Sequence, residues 1–232
     1  MPDYTLHYWP APFRGQFPRA VLAHAGADWA EAGMEATAEA MEARVPEQAV
    51  PHMAPPMLVD HRREAAVAQM PAIMAYLGAQ FGLMPGDPGR DALALKVVLD
   101  ANDILDEITL DGGREMWDAQ TWADFRPRLA RWMAIFEETG ARHGLTAGGG
   151  WMLGTGRAGL ADLAAWALWC PMTDRLPPLG AMLTEEAPRV AALVDRLSGT
   201  PALSKLRRQS DEAWGEVYCG GRIERSLRAV FA

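Results

Sequence analysis

Cysteine is nearly missing from this chain: two in 232 residues, Cys170 and Cys219. Neither has a partner at metal-ligand spacing, and the five histidines (7, 24, 52, 61 and 143) form no H-x-x-x-H pair. A disulfide framework and a structural zinc are therefore not expected. A surplus of basic residues is missing too. With a net charge of -8 the chain has no basic patch able to neutralise phosphates, which excludes nucleic acid as the expected partner. No run of about 18 apolar residues occurs, so no membrane span is expected. The opening residues "MPDYTLHYWP" lack a charged segment followed by an apolar one, which predicts a cytoplasmic protein without a signal peptide. What is present is ordinary for a folded protein: 50% hydrophobic and 22% charged residues, enough for one large domain or two modest ones.

The chain divides by pattern. Residues 4 to 8, "YTLHY", are β-prone, and 14 to 27 carry Phe17, Val21 and Leu22 near helical spacing, with Pro18 tolerable in a first turn. Residues 29 to 52 are ambiguous: Trp29 opens a short strand, while the Ala/Glu/Met stretch from 34 to 44 favours helix. Met57 to Asp60 and Ala65 to Ala68 read as a hairpin. Residues 69 to 82 read as an apolar helix with Pro71 at its start and Gly82 at its end. This predicts β-α-β-α-β-β-α over residues 1–83. A Pro/Gly-rich linker follows at 84–90, "MPGDPGR". From 91 to 232 no alternating strand pattern appears, and residues 91–108, 125–144, 160–169 and 187–199 carry helical spacing. The expected fold class is thus α/β followed by an all-α helical bundle.

Two consecutive prolines, Pro55 and Pro56, stand directly before Met57. Proline has no N–H to give a ladder, so the pair belongs to the beginning of a strand rather than its middle. Four motifs in order carry a resemblance. "YTLHYWPAPFRG" is similar to a first strand and turn running Tyr-Thr-x-x-Tyr-(Phe/Trp)-Pro and then Arg-Gly, and "PPMLVD" to x-Pro-x-Leu-x-Asp. "AQMPAIMAYLG" is similar to Gln-Ser-x-Ala-Ile-x-x-Tyr-Leu, and "GTGRAGLADLAAW" to a buried helix with an Ala-Asp capping pair. Together, over nearly the whole chain, they resemble the cytosolic glutathione transferases of tyrosine type.

The resemblance implies a thioredoxin-like glutathione-binding domain at 1–83 and an all-helical domain at 91–232 forming a second-substrate site. It also implies glutathione as co-substrate, a detoxifying transfer reaction and a homodimer. Pro56 takes the position of a cis proline at which glutathione's cysteinyl backbone docks like an added strand. The preceding residue usually offers both N–H and C=O to the ligand, and here it is Pro55, so one bond is lost. Tyr8 is implied as the hydroxyl donor that stabilises the thiolate, whose free thiol has a pKa of about 8.5, whereas Tyr4 reads as structural. Arg14, at the Arg-Gly position, either orients Tyr8, contacts a glutathione carboxylate or is a solvated surface arginine; Arg19 lies one turn further along.

Gln69 aligns with the residue that holds the γ-glutamyl group, against the plain reading of a helix cap. Met70 replaces the family's serine, leaving its backbone amide and the helix N-terminus to attract the γ-glutamyl carboxylate; Pro71 has no N–H to add. Asp103 looks like the acid that reaches across a dimer to the ligand's amino group, although with Asp100 and Asp106 it also reads as a solvated acidic face. Asp162 reads as structural, with Gly159 where its hydroxyl capping partner would stand, and His52, in the loop before the prolines, either meets the glycyl carboxylate or is a plain loop histidine. The nine Trp and thirteen Met suit either an apolar second-substrate site or a core. Two functions compete. One is conjugation of glutathione to an apolar electrophile; the other is a non-catalytic binding protein on the same fold, favoured by the losses at Pro55, Met70 and Gly159. Glutathione-dependent isomerisation and disulfide reduction rank lower, because reduction calls for a cysteine near the first strand.

Overall fold

The computed structural model of the protein describes residues 1–231. Its first layer is a four-stranded sheet, built from β1 (Tyr4–His7), β2 (Trp29–Glu31), β3 (Met57–Asp60) and β4 (Ala65–Ala68), in the order β2-β1-β3-β4. The helix α1 (Gln16–Ala25) crosses from β1 to β2, which pair in parallel, whereas β1, β3 and β4 pair antiparallel. α2 (Met34–Glu42) and a single 3-10 turn at Val45–Glu47 fill the ambiguous stretch, and α3 (Met70–Gln80) closes the layer. The expected β-α-β-α-β-β-α order is what forms, and both strands of the hairpin start and stop at the expected residues.

The helical part consists of α4 (Pro88–Ile108), the single turn α5 (Leu110–Gly113), α6 (Ala119–Arg142), α7 (Leu160–Arg175), α8 (Pro177–Glu186), α9 (Pro188–Ser198), α10 (Pro201–Trp214) and α11 (Gly221–Ala229). α4 begins inside the expected linker, at Pro88. The Asp87 carboxylate accepts from the N–H groups of Gly89 (2.9 Å) and Arg90 (3.2 Å), and proline at the first helical position gives up no intrahelical bond. α6 likewise begins at Ala119 rather than at 125, because Asp118 caps it through the Thr121 amide at 2.8 Å.

α7 is the centre of the molecule. Its residues from Leu160 to Met172 are all buried, so it shows no solvent face and its periodicity fades before its true end at Arg175. Trp166 and Trp169 on this helix are wholly enclosed, and the Trp166 indole donates to the Ser198 hydroxyl at 2.9 Å. These tryptophans are core. Asp162 anchors the start of α7 by accepting from the amides of Gly159 (2.9 Å) and Met152 (2.8 Å). Glycine has no side chain to return the bond, so only half of the reciprocal cap exists. α8, α10 and α11 escape the sequence reading because each buries only two or three residues.

Candidate active site

Strand register assembles the site. In the β1/β3 pair His7 stands opposite Met57, so the next residues outward, Tyr8 and Pro56, share one end of the sheet. In the β3/β4 pair Met57 stands opposite Ala68, which puts Gln69 at the same end. The Gln69 amide confirms it by donating to the Pro56 carbonyl at 3.1 Å. The Pro55-Pro56 peptide is cis. Three residues distant in sequence thus line up because two antiparallel pairings, β1 with β3 and β3 with β4, end together.

Tyr8 is only 6% exposed. Its hydroxyl oxygen accepts the Arg14 backbone N–H at 3.0 Å, and no acceptor for its own hydrogen occurs among the described residues. Burial pushes the Tyr8 hydroxyl up to about 12, although Arg14 and Arg19 pull the other way. At neutral pH it is a proton-bearing donor, not a tyrosinate. The Arg14 guanidinium turns instead to α4, bonding the Asn102 side-chain oxygen at 3.4 Å and pairing with Asp106 at 3.6 Å. Arg14 thus touches the Tyr8 hydroxyl with its backbone amide and not with its cation.

Two supporting residues were not legible as such. A side chain at Gly15 would lie 2.3 Å from the Tyr8 ring, so glycine is what allows α1 to start against that tyrosine. Arg19, 1% exposed, sits 5.5 Å from the Tyr8 ring centre and 4.4 Å from that of Trp214. Its guanidinium donates to the Ala11 carbonyl (2.7 Å), to the Trp9 carbonyl (3.4 Å) and to both carboxylate oxygens of Glu31 (2.6 and 3.1 Å). It is a brace for the turn that carries Tyr8. A buried arginine announces itself in no sequence pattern; only the company it finds reveals the role.

The remaining candidates divide. Gln69, exposed, with φ +73, precedes α3 without capping it, and its side chain makes no hydrogen bond among the described residues. Met70 begins α3 and buries its side chain in the core, leaving only its backbone toward the sheet end. His52 is tied into its own loop, Nδ1 lying 2.8 Å from the Val50 carbonyl oxygen and its amide donating to Gln48. Asp103 is exposed on α4; partial burial, followed by the neighbouring Asp100, Glu107 and Asp106 carboxylates, raises its pKa. It is Asp106, not Asp103, that meets Arg14 within the chain.

Beside Asp106 a cleft of about 630 Å³ opens, lined by the apolar Leu110 and Phe125 and by charged residues that include Arg114 and Arg128. Its lining includes neither tryptophan nor methionine, so the abundance of those residues does not mark it. The segment between α10 and α11 lies over the other side of the Tyr8 turn. The Tyr218 ring packs edge-on against Phe13 at 5.4 Å, and the Glu224 carboxylate holds the segment by accepting from the amides of Tyr218, Cys219 and Gly220 at 3.0, 3.0 and 2.6 Å. Cys170 and Cys219 are free thiols. Among the described residues no cluster of three or more His, Cys, Asp or Glu is placed to hold a metal, and no helix is long and apolar enough to cross a membrane.

Residues 93–230 match the family model for the glutathione S-transferase C-terminal domain. No curated protein matches the sequence. Among solved structures, the glutathione S-transferase from Ascaris lumbricoides is 21% identical, with a TM-score of 0.70 over 90% of this chain and 98% of that one. NaGST-2 is 19% identical, with a TM-score of 0.69 over 90% and 97%. Ure2p, solved in complex with glutathione, is 17% identical, with a TM-score of 0.70 over 89% and 93%.

Proposed function

The chain belongs to the glutathione S-transferase family, and from that premise we propose that it is a glutathione transferase in which Tyr8 stabilises the glutathione thiolate for attack on an electrophile. The observation that carries this reading is the Tyr8 hydroxyl: oriented by the Arg14 amide, free to donate its hydrogen, and at the sheet end shared by Pro56 and Gln69. Glutathione's cysteinyl backbone would dock along Pro56, its γ-glutamyl group at Gln69 and the start of α3, and its sulfur at Tyr8. A donor already oriented before the charge forms costs no reorganisation when the thiol ionises. The raised pKa of Tyr8 serves this role, because only the protonated hydroxyl can donate. In a homodimer, Asp103 of α4 is our candidate for the contact to the ligand's amino group.

One observation favours a second reading, a non-catalytic binding protein: Pro55 has no amide to offer, and Met70 no hydroxyl. The loss of one such bond weakens glutathione by about 0.5 to 1.5 kcal/mol. A thiolate titration decides between the two. Ultraviolet absorbance of bound glutathione, followed from about pH 5 to 9 around the ordinary thiol value of about 8.5, is expected to show a lowered thiol pKa in the wild type and none in Tyr8→Phe. Absence of glutathione binding at millimolar concentration in the wild type would overturn the transferase reading.

A further inference from the structure

Another cleft, of about 360 Å³, opens where the exit of α3 meets the entry to α7. Two segments form it: residues 82–85 with Arg90, and the loop 154–159, "GTGRAG". Tyr8, Pro56 and Gln69 are not among its lining residues. The segments are tied to each other, because the Leu160 amide donates to the Leu83 carbonyl at 2.9 Å and the Arg157 guanidinium to the Gly82 carbonyl at 2.8 Å. A side chain at Gly159 would stand 3.0 Å from the Leu83 carbonyl oxygen, whereas one at Gly156 would meet nothing within 4 Å. The loop therefore closes against the linker at one end and leaves room at its middle.

The charge of this wall has one sign. Arg90 and Arg157 line the cleft and no Asp or Glu does; neither arginine reaches a carboxylate among the described residues. The acids beside it in sequence are held by backbone amides: Asp87 by Gly89 and Arg90, Asp91 by Gly86 at 2.8 Å, and Asp162 by Gly159 and Met152. Asp162 and the Leu83 carbonyl thus occupy the start of α7, and any attraction for an anion comes from the loop and the arginines. The amides of Thr155, Gly156, Arg157 and Ala158 donate to no acceptor among the described residues. Successive free N–H groups in a turn make a concave surface for an anion, and a guanidinium fork matches the oxygens of a phosphate. The Thr155 hydroxyl fixes the loop by donating to the Arg157 carbonyl at 2.7 Å. Arg157 also acts on His24 of α1, whose pKa is lowered by burial first and by that cation second. In a chain of net charge -8, this is a local reversal of sign.

We propose that the cleft binds a phosphoryl group, held by the Arg90 and Arg157 guanidiniums and the free amides of residues 155–158, at a site separate from that of glutathione. The proposal goes beyond the Tyr8 reading and does not depend on it. A phosphoryl dianion suits two cations and a row of amides better than a carboxylate monoanion does. Because the linker and the entry to α7 both contribute, the bound group joins the N-terminal layer to the helical part, and the unfolding midpoint rises with its concentration.

The test is calorimetric titration of the full chain in millimolar glutathione at constant ionic strength, with inorganic phosphate, glycerol 3-phosphate and, as the monoanion control, acetate. At least one of the two phosphates is expected to bind the wild type more tightly than acetate does. Whichever of them binds tighter identifies the source as free phosphate or a phosphorylated metabolite. Arg157→Ala and Arg90→Ala are each expected to weaken it about 10- to 100-fold, as for loss of a charged hydrogen bond. Arg131→Ala, at an exposed arginine of α6, is expected to leave it unchanged. Arg90→Ala keeps its amide bond to Asp87, so it reads the site even if Arg157→Ala, which gives up the bond to Gly82, fails to fold. A wild type that binds neither phosphate, that binds acetate equally well, or that is weakened alike by all three substitutions overturns the proposal. The glutathione thiolate titration is expected to be the same in Arg90→Ala as in wild type. A chain that binds phosphate through Arg90 but gives no thiolate signal overturns the Tyr8 reading and leaves this one standing.

Discussion

The two ends of the sheet each carry a tyrosine from the β1 segment, and they differ in how completely their polar groups are matched. At the Tyr4 end the buried polar groups are paired. Asp60, buried at 1% exposure, accepts from the amides of Arg62 (3.0 Å) and Arg63 (3.2 Å) and from the Tyr76 hydroxyl (2.8 Å). The Arg62 guanidinium bonds the Tyr4 hydroxyl and lies over its ring. At the Tyr8 end the hydroxyl hydrogen and the Gln69 side chain are unmatched. A saturated network holds the fold together, whereas a preoriented but unsatisfied one is disposed to bind a ligand.

Substitutions at the two ends should therefore separate stability from activity. Asp60→Ala removes the shared acceptor of two amides and the Tyr76 hydroxyl in a part-buried setting; the expected cost is about 3 to 5 kcal/mol in denaturant unfolding, with the glutathione thiol pKa unchanged in the folded fraction. Tyr8→Phe should behave in the opposite way, losing about 10²- to 10³-fold in kcat/KM while its unfolding midpoint stays close to wild type. A Tyr8→Phe protein destabilised as much as Asp60→Ala would erase the distinction between the two ends.

Smaller effects sharpen it. Pro55→Val returns one N–H to the docking edge, and calorimetric titration is expected to show glutathione binding tighter by about 0.5 to 1.5 kcal/mol. A last effect appears only at alkaline pH. Tyr8 ionises near 10 in the unfolded chain and at about 12 in the fold, so the unfolded state releases its proton first. Stability from this group is intact below pH 10 and declines as pH rises from 10 toward 12. Spectrophotometric titration should find Tyr8 protonated at pH 10, and the rise of activity with pH below that should follow the glutathione thiol alone.

Much of the N-terminal layer was legible because its signals are local. The hairpin at 57–68 consists of two short apolar runs on either side of a turn, and the proline pair marks its entrance. The helical part was legible only where one face is apolar. α7 is buried all round and was cut short, while α10 and α11 bury too little to stand out. The candidate site shows the same split. Tyr8, Pro56 and Gln69 lie in motifs of fixed local spacing. Gly15, Arg19 and Tyr218 matter through contacts with residues that the fold alone brings near.

The sequence by itself determined the order of elements in the N-terminal layer, the proline before β3, the tyrosine at the end of β1 and the missing N–H at Pro55. Each follows from the chemistry of one residue or from a short period. Only the tertiary structure decided that Arg14 holds Tyr8 through its backbone while its guanidinium reaches α4, and that Tyr218 brings an unpaired hydroxyl to the same turn. The reason is physical: a hydrogen bond or a buried orphan depends on which surfaces meet, and Arg14 meets Asn102, and Phe13 meets Tyr218, only after the sheet and the helices have packed.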